Sequence, residues 1–287
     1  MIDTPPRVVL ITGCSSGIGM ASALAFAGAG DIVVATMRNL DKATALRAAL
    51  DAAGIGEGRT AGTAAIARLD VSDESSVAAA VQGVLDEHGR IDVLVSNAGV
   101  LYEGTTEELP VEAFTHSLDV NFLGTVRMIK AVMPSMRAAG RGNIIAVSST
   151  AGILGQPFND AYCASKFALE GMCESLFPVA AAFGVHVSMV EPGPVTTEFV
   201  ANSSTAAAKG IAGPYADVRS AFARIQAGAY VGAPQSDEIA AQIVAVADDP
   251  SPKLRYQTSE AITKLVALKL KDVTGERVTS MTSKWLT

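Results

Sequence analysis

Short apolar, β-branched runs alternate along this chain with longer Ala-rich segments of helical period, and no other feature restricts the fold as much. The runs at 8–12, 32–36, 64–69, 91–95, 143–147 and 185–190 are apolar on both faces, as strands at the centre of a parallel sheet must be. Between them, residues 18–29, 41–53, 74–87, 111–138 and 161–183 carry helical spacing, the last allowing a bend at Pro178. Parallel neighbours need helix-length crossovers, so the order predicts an α/β fold: a doubly wound parallel sheet of about seven strands, flanked by helices in three layers, with right-handed connections. A helix at 236–247, a strand-like run at 254–258 and a tail helix at 259–270 complete the pattern.

The chain has 287 residues, 49% of them hydrophobic, which suffices for a large core and for one domain spanning 1–287, since no Pro- or Gly-rich linker divides it. A net charge of -7 without a basic stripe argues against a nucleic-acid partner. Cys14, Cys163 and Cys173 are odd in number and lack metal-ligand spacing, so neither a disulfide framework nor a metal is expected, and a reducing compartment is. The N-terminus runs straight into a strand, and no uncharged apolar stretch reaches the roughly 20 residues that span a bilayer. These features predict a cytoplasmic protein with no membrane segment. After Pro192 the pattern weakens into Ala, Gly and Ser, and residues 196–235 read as a lid over a substrate.

The first strand enters TGCSSGIG, with Gly13, Gly17 and Gly19 between strand and helix. Glycine there lets the backbone approach a pyrophosphate, which then sits on the free N–H groups of the helix start; Ser15, Ser16 and Ile18 share that turn. The fold is then of Rossmann type. At the end of the second strand, ATMRN holds Arg38 and no acid, favouring the 2′-phosphate of NADP(H) over the ribose hydroxyl of NAD(H); the alternative is a solvated cation at a helix start. Asp70 and Val71 are placed to meet the adenine, though Asp70 could also cap the next helix, and Asn97, Ala98 and Gly99 keep backbone close to a ligand.

Ser148 and Ser149 close the fifth strand at its carboxyl end, where open α/β sheets bind ligands. Tyr162 and Lys166 follow in YCASK, one helical turn apart on one face. A phenol acting as general acid or base needs its pKa brought down from about 10, and a neighbouring ammonium favours the phenolate. Ser149 is placed to hold a substrate oxygen as charge develops on it.

These motifs together resemble the short-chain dehydrogenase/reductase family. Within it, GCSSGIG, ATMRN, PFNDAYCASKFALEGMCESL and PKLRYQT are most similar to the NADP-dependent 17-beta-hydroxysteroid dehydrogenase and retinol dehydrogenase branch. The resemblance implies a catalytic tetrad of Asn121, Ser149, Tyr162 and Lys166, with Asn121 holding a relay water. It further implies that Lys166 grips the nicotinamide ribose, that Val195 and Thr197 anchor the carboxamide, and that Pro192 and Gly193 are among the cofactor contacts. The expected activity is NADP(H)-dependent interconversion of a lipophilic secondary alcohol and ketone, such as a steroid, with a retinoid or small 3-oxoacyl ketone as the alternative and an idle NADP(H)-sensing regulator as the remote one. The steroid enzymes of that branch clamp the far hydroxyl with a lid histidine and a tail glutamate. Here His88, His116 and His186 all precede the lid, and Lys284 stands near the glutamate's place. The helices at 111–138 and 161–183 are apolar around most of their circumference, which, with the family's habit of pairing them, predicts a homodimer or homotetramer.

Overall fold

The computed structural model describes residues 6–58, 60, 62–201, 204–205, 213–271 and 284; within the lid, 202–203 and 206–212 lie outside them, as does most of the tail around Lys284. In chain order the elements are β1 (Val8–Ile11), α1 (Gly17–Gly28), β2 (Ile32–Met37), α2 (Ala43–Ala52), β3 (Thr63–Arg68), α3 (Glu74–His88), β4 (Val93–Ser96) and β5 (Tyr102–Glu103). Then come α4 (Val111–Leu118), α5 (Gly124–Ala139), β6 (Gly142–Val147), α6 (Asp160–Ala181), β7 (Val185–Glu191), α7 (Glu198–Ala201) and β8 (Ser204–Thr205). The chain closes with α8 (Ala216–Ala229), α9 (Ser236–Asp248), β9 (Arg255–Gln257) and α10 (Glu260–Leu270).

Seven strands form one all-parallel sheet in the order β3-β2-β1-β4-β6-β7-β9. Alternation sorts the core into two layers. Val8, Leu10, Leu94 and Ile144 pack against Met128, Val132 and Leu169 of α5 and α6. Val9, Ile11, Val33 and Ile145 pack against Phe26, Leu46, Ile239 and Ile243 of α1, α2 and α9. Strand order reverses between β1 and β4, and the crevice outside their carboxyl ends is where such sheets take ligands. Among the described residues no helix is long and apolar enough to cross a membrane.

Two elements differ from the pattern expected of the sequence. The predicted helix at 111–138 is interrupted by a π-helical turn at Asp119–Leu123, where Gly124 N–H reaches back to Asp119 O. Such a turn inserts one residue into the ladder and turns the side chains around it. Residues 196–235, read as a loop, contain α8. Its Ala- and Gly-rich sequence hides an amphipathic helix because one inward position is Arg219, only 9% exposed.

Arg219 is buried with its charge matched. It pairs with Glu108 at 2.6 Å and Glu103 at 3.3 Å, and its guanidinium lies 4.3 Å from the centre of the Phe158 ring. Tyr215 adds a hydrogen bond to Glu107, and Phe222 packs on Phe158 with ring centres 5.5 Å apart. Phe158 itself sits at φ 59, a left-handed backbone that bulky residues rarely adopt and that tertiary contacts must hold. Arg219→Ala should therefore cost about 2–4 kcal/mol by leaving two carboxylates partly buried without their cation. Hydrogen exchange should show α8 opening while β1, β4 and β6 stay protected; uniform loss of protection would contradict this anchoring.

Candidate active site

The turn after β1 places its glycines for separate reasons. Gly13 has φ 76, and a Cβ on it would stand 2.8 Å from Ala98 Cα. A Cβ on Gly19 would lie 2.4 Å from Gly13 O and 2.5 Å from Asn97 Nδ2, so the first turn of α1 packs on the strand end only if residue 19 has no side chain. Gly17, at φ 55, faces Thr197, which brings the chain after β7 across the turn. Asn97 Nδ2 donates to Thr12 O at 3.0 Å and to Gly13 O at 3.2 Å, and Thr12 Oγ1 accepts from the N–H groups of Asn97 and Ala98. The Asn97 side chain is thereby spent on shaping the turn. Ser16 is the N-cap of α1, yet its hydroxyl makes no capping bond and the first turn holds no acid. The positive end of this helix is left to an anion, and the cradle fits a dinucleotide pyrophosphate. Ser15, Ser16, Gly17 and Ile18 lie on its half-buried rim.

Around this cradle the predicted residues divide. Arg38 is exposed at the end of β2, whereas Met37 is 2% exposed in the core. Asp70 does not cap α3; Asp73 does, accepting from the N–H groups of Ser75 and Ser76, while Asp70 Oδ1 accepts from Ser72 N and Oγ. Val71 is more enclosed than Asp70. Its side chain is 6% exposed and packs where Gly124 leaves room, and its carbonyl accepts from Arg127, so a ligand could meet only the rest of its backbone. Pro192 and Val195 are buried, and Pro192 O accepts from Thr150 N at 2.9 Å. Gly193 gives way to Ile262 of α10, to which its Cβ would come within 2.4 Å.

At the carboxyl end of β6 the structure gathers Ser149, Tyr162 and Lys166. Ser149 neighbours the Tyr162 phenol, and its Oγ accepts from Ala151 N at 3.1 Å. Lys166 is 4% exposed and donates to Val147 O at 2.8 Å, with Nζ 5.7 Å from the centre of the Tyr162 ring. Burial, only partly offset by the neighbouring Ser149 hydroxyl, pushes the phenol well above its ordinary value. Burial pulls the ammonium down to about 8, with Glu170 opposing. Lys166 itself is tied to a strand carbonyl, and among the groups around the phenol burial has the largest effect. Asn121, 1% exposed in the π turn, accepts from Val100 N at 2.7 Å and donates to Val100 O at 3.0 Å and Ser165 Oγ at 2.9 Å. Both amide protons of its side chain are used, which leaves it only acceptor capacity for a further group.

Sequence reasoning named Ser148 but not the partners behind this centre, Glu170 and Arg255. Ser148 donates to Glu170, and Arg255 of β9 pairs with Glu170 in turn. The spacing of Lys166 and Glu170 was a possible signal, but Arg255 is brought in only by the β7–β9 pairing. Cys14, Cys163 and Cys173 are buried free thiols.

Known proteins match this arrangement throughout. The family model described as short chain dehydrogenase matches residues 7–208. Human 17-beta-hydroxysteroid dehydrogenase type 1 is 39% identical over 284 residues, covering 96% of this chain and 84% of its own. Retinol dehydrogenase 8 of Bos taurus is 41% identical over 283 residues, covering 94% and 87%. The crystal structure of a short chain dehydrogenase/reductase from Burkholderia phymatum in complex with NAD superposes with a TM-score of 0.79 at 25% identity, over 96% of this chain and 97% of that one. With its parallel sheet, glycine turn and YCASK helix start, the chain belongs to the short-chain dehydrogenase/reductase family of oxidoreductases, in the branch that resembles the hydroxysteroid and retinol dehydrogenases.

Proposed function

We propose that this oxidoreductase interconverts a lipophilic secondary alcohol and ketone with NADP(H), a steroid 17-hydroxyl or 17-ketone first among them, and that Tyr162 moves the proton. The observation that carries this reading is the junction at the end of β6, where Lys166, Ser149 and Tyr162 converge beside the glycine cradle. A bound nicotinamide dinucleotide supplies or accepts the hydride. The remaining work falls to the protein's own groups.

For reduction, Tyr162 gives its proton to the ketone oxygen, and burial keeps that proton in place at neutral pH. The Ser149 hydroxyl, beside the phenol, steadies the oxygen as it gains charge. Lys166, with a pKa of about 8, is still mainly an ammonium at neutral pH and anchors the nicotinamide ribose from its place under Val147. Alcohol oxidation asks for the phenolate, so it needs more positive charge near the ring than Lys166 alone provides. The carbonyl of Asn121 holds the water that links Lys166 to solvent.

Residues 1–287 act as one domain whose segment 196–235 covers the substrate. Phe199 lies over Tyr162 with ring centres 5.9 Å apart, and Tyr230 ends α8 half-buried nearby, an aromatic approach that suits a flat apolar molecule. Because all three histidines precede the lid, a retinoid or a small 3-oxoacyl ketone is the second reading. NADP(H) is preferred because Arg38 stands exposed at the end of β2 with no acid beside it in ATMRN. The chain is a homodimer or homotetramer, joined through α5 and α6. Val126, Ile129, Met172, Leu176 and Val179 line a groove of about 370 Å³ between these helices, and Val179 is 57% exposed.

Tyr162→Phe should lower kcat about 10²- to 10⁴-fold while NADPH binding, followed by fluorescence, stays within a few-fold; undiminished turnover would sink the assignment. In Arg38→Ala the ratio of kcat/KM for NADPH over NADH should fall about 10- to 100-fold, the size of a lost charged hydrogen bond. Arg38 is the cleaner site for this test than Met37, where an acid would be placed in the core. Val179→Glu should shift sedimentation equilibrium toward the monomer, and an unchanged mass would refute an α5–α6 contact.

A further inference from the structure

Behind Tyr162 and Lys166 lies a group of charges that the proposed proton transfer does not use. Glu170, 4% exposed, stands one helical turn after Lys166 on α6. One of its oxygens accepts from the Ser148 hydroxyl. The other meets Arg255 Nε at 3.1 Å. The same Arg255 Nε lies 3.2 Å from Glu191 of β7, which is fully buried, and its Nη2 reaches Glu174 at 2.8 Å. Gln257 Nε2 donates to the other oxygen of Glu191 at 2.7 Å. A single guanidinium therefore faces three carboxylates.

Space for Glu170 has been made on purpose. A Cβ on Gly152 would stand 2.8 Å from Glu170 Cγ, 2.9 Å from Ser148 Oγ and 3.1 Å from Lys166 O. The residues that Glu170 reaches are those that carry the candidate centre. Val147 accepts from Lys166 and Ser148 donates to Glu170, so two successive residues at the end of β6 are tied to α6, and Ser149 follows them beside Tyr162. Leaving a charge at 170 costs desolvation, which only a paired and hydrogen-bonded carboxylate recovers. Retaining one here makes sense if its charge and its hydrogen bond both act on neighbours.

We propose that Glu170 is a positioning residue, held by Arg255 from the C-terminal strand, that fixes the end of β6 through Ser148 and supplies the buried negative charge facing Lys166. This rests on the roles given above to Tyr162 and Lys166. Lys166 faces Tyr162, Glu170 and Cys173 on its own helix, while Arg255 of β9 and Glu191 of β7 meet the far side of Glu170. Burial raises the proton affinity of Glu170 itself, which the Ser148 bond, Arg255 and Lys166 oppose, and its charge in turn raises the affinity of Lys166 for its proton against the burial that lowers it. Without that charge Lys166 should give up its proton at lower pH.

The test is an NMR titration of the Lys166 side chain in the full-length parent and in Glu170→Gln, which keeps an acceptor for Ser148 but loses the charge. The Lys166 midpoint should fall by about one pH unit in the variant, and the alkaline limb of kcat should move with it. An unchanged midpoint would overturn the proposal. The titration needs no turnover, so it is decided separately from the reaction itself, which Tyr162→Phe tests. If the Gln variant does not fold, Glu170→Asp keeps the charge and withdraws its oxygen from Ser148. It should retain the Lys166 midpoint while kcat drops roughly tenfold or more, with substrate KM within about twofold; a parent-like kcat would overturn the positioning role.

Discussion

The hydrogen bond from Lys166 Nζ to Val147 O, 2.8 Å long and buried, is the contact on which the rest of the candidate centre depends. It binds the start of α6 to the end of the central strand β6 and so determines where Tyr162, one turn earlier, stands relative to Ser149. An ammonium taken out of water needs such a partner, and a strand's terminal carbonyl, which has no further ladder bond to make, can supply it. The tie of Ser148 to Glu170 reinforces the same junction. A sheet edge is thereby converted into a fixed set of donors and acceptors.

Across the crevice, the cradle after β1 is built by the same device, backbone groups held by side chains. Asn97 and Thr12 join β4 to the glycine turn, and the absence of a side chain at Gly13 and Gly19 lets the two segments touch. The lid is fastened differently. Arg219 inserts a charge between two acids and an aromatic ring, a contact of charge and stacking that a ligand can disturb more readily than a packed core. The scaffold around β1, β4 and β6 is rigid by packing, whereas α8 rests on a few polar contacts.

How much of this was legible in the chain follows from which forces are local. The strands and most helices could be read because alternation and period report burial directly, and the glycine turn because only glycine satisfies both its φ values and its clearances. The break at Asp119–Leu123 could not be read: DVNFL carries no breaking residue, and the π turn is set by Asn121 bonding Val100, a partner from another segment. Helix α8 was hidden because Arg219 looks like a surface residue until Glu103 and Glu108 are placed beside it. Tyr162 and Lys166 were legible as a pair, but the burial around the phenol was not, since spacing reports proximity and not enclosure. Glu170 was visible and Arg255 was not, because their meeting depends on a strand pairing between residues far apart in the chain.

The proposed chemistry requires that the phenol of Tyr162 be held neutral by burial and be ionised by positive charge arriving with the oxidised cofactor. The most direct measurement follows the near-ultraviolet absorbance of phenolate against pH, with and without NADP⁺, using Tyr162→Phe to identify the signal. Without the nucleotide, Tyr162 should stay protonated beyond the ordinary tyrosine value of about 10; with NADP⁺ its ionisation should move down by about two units or more. A Tyr162 signal that titrates at the same pH in both states would contradict the assignment of this residue as the group that moves the proton.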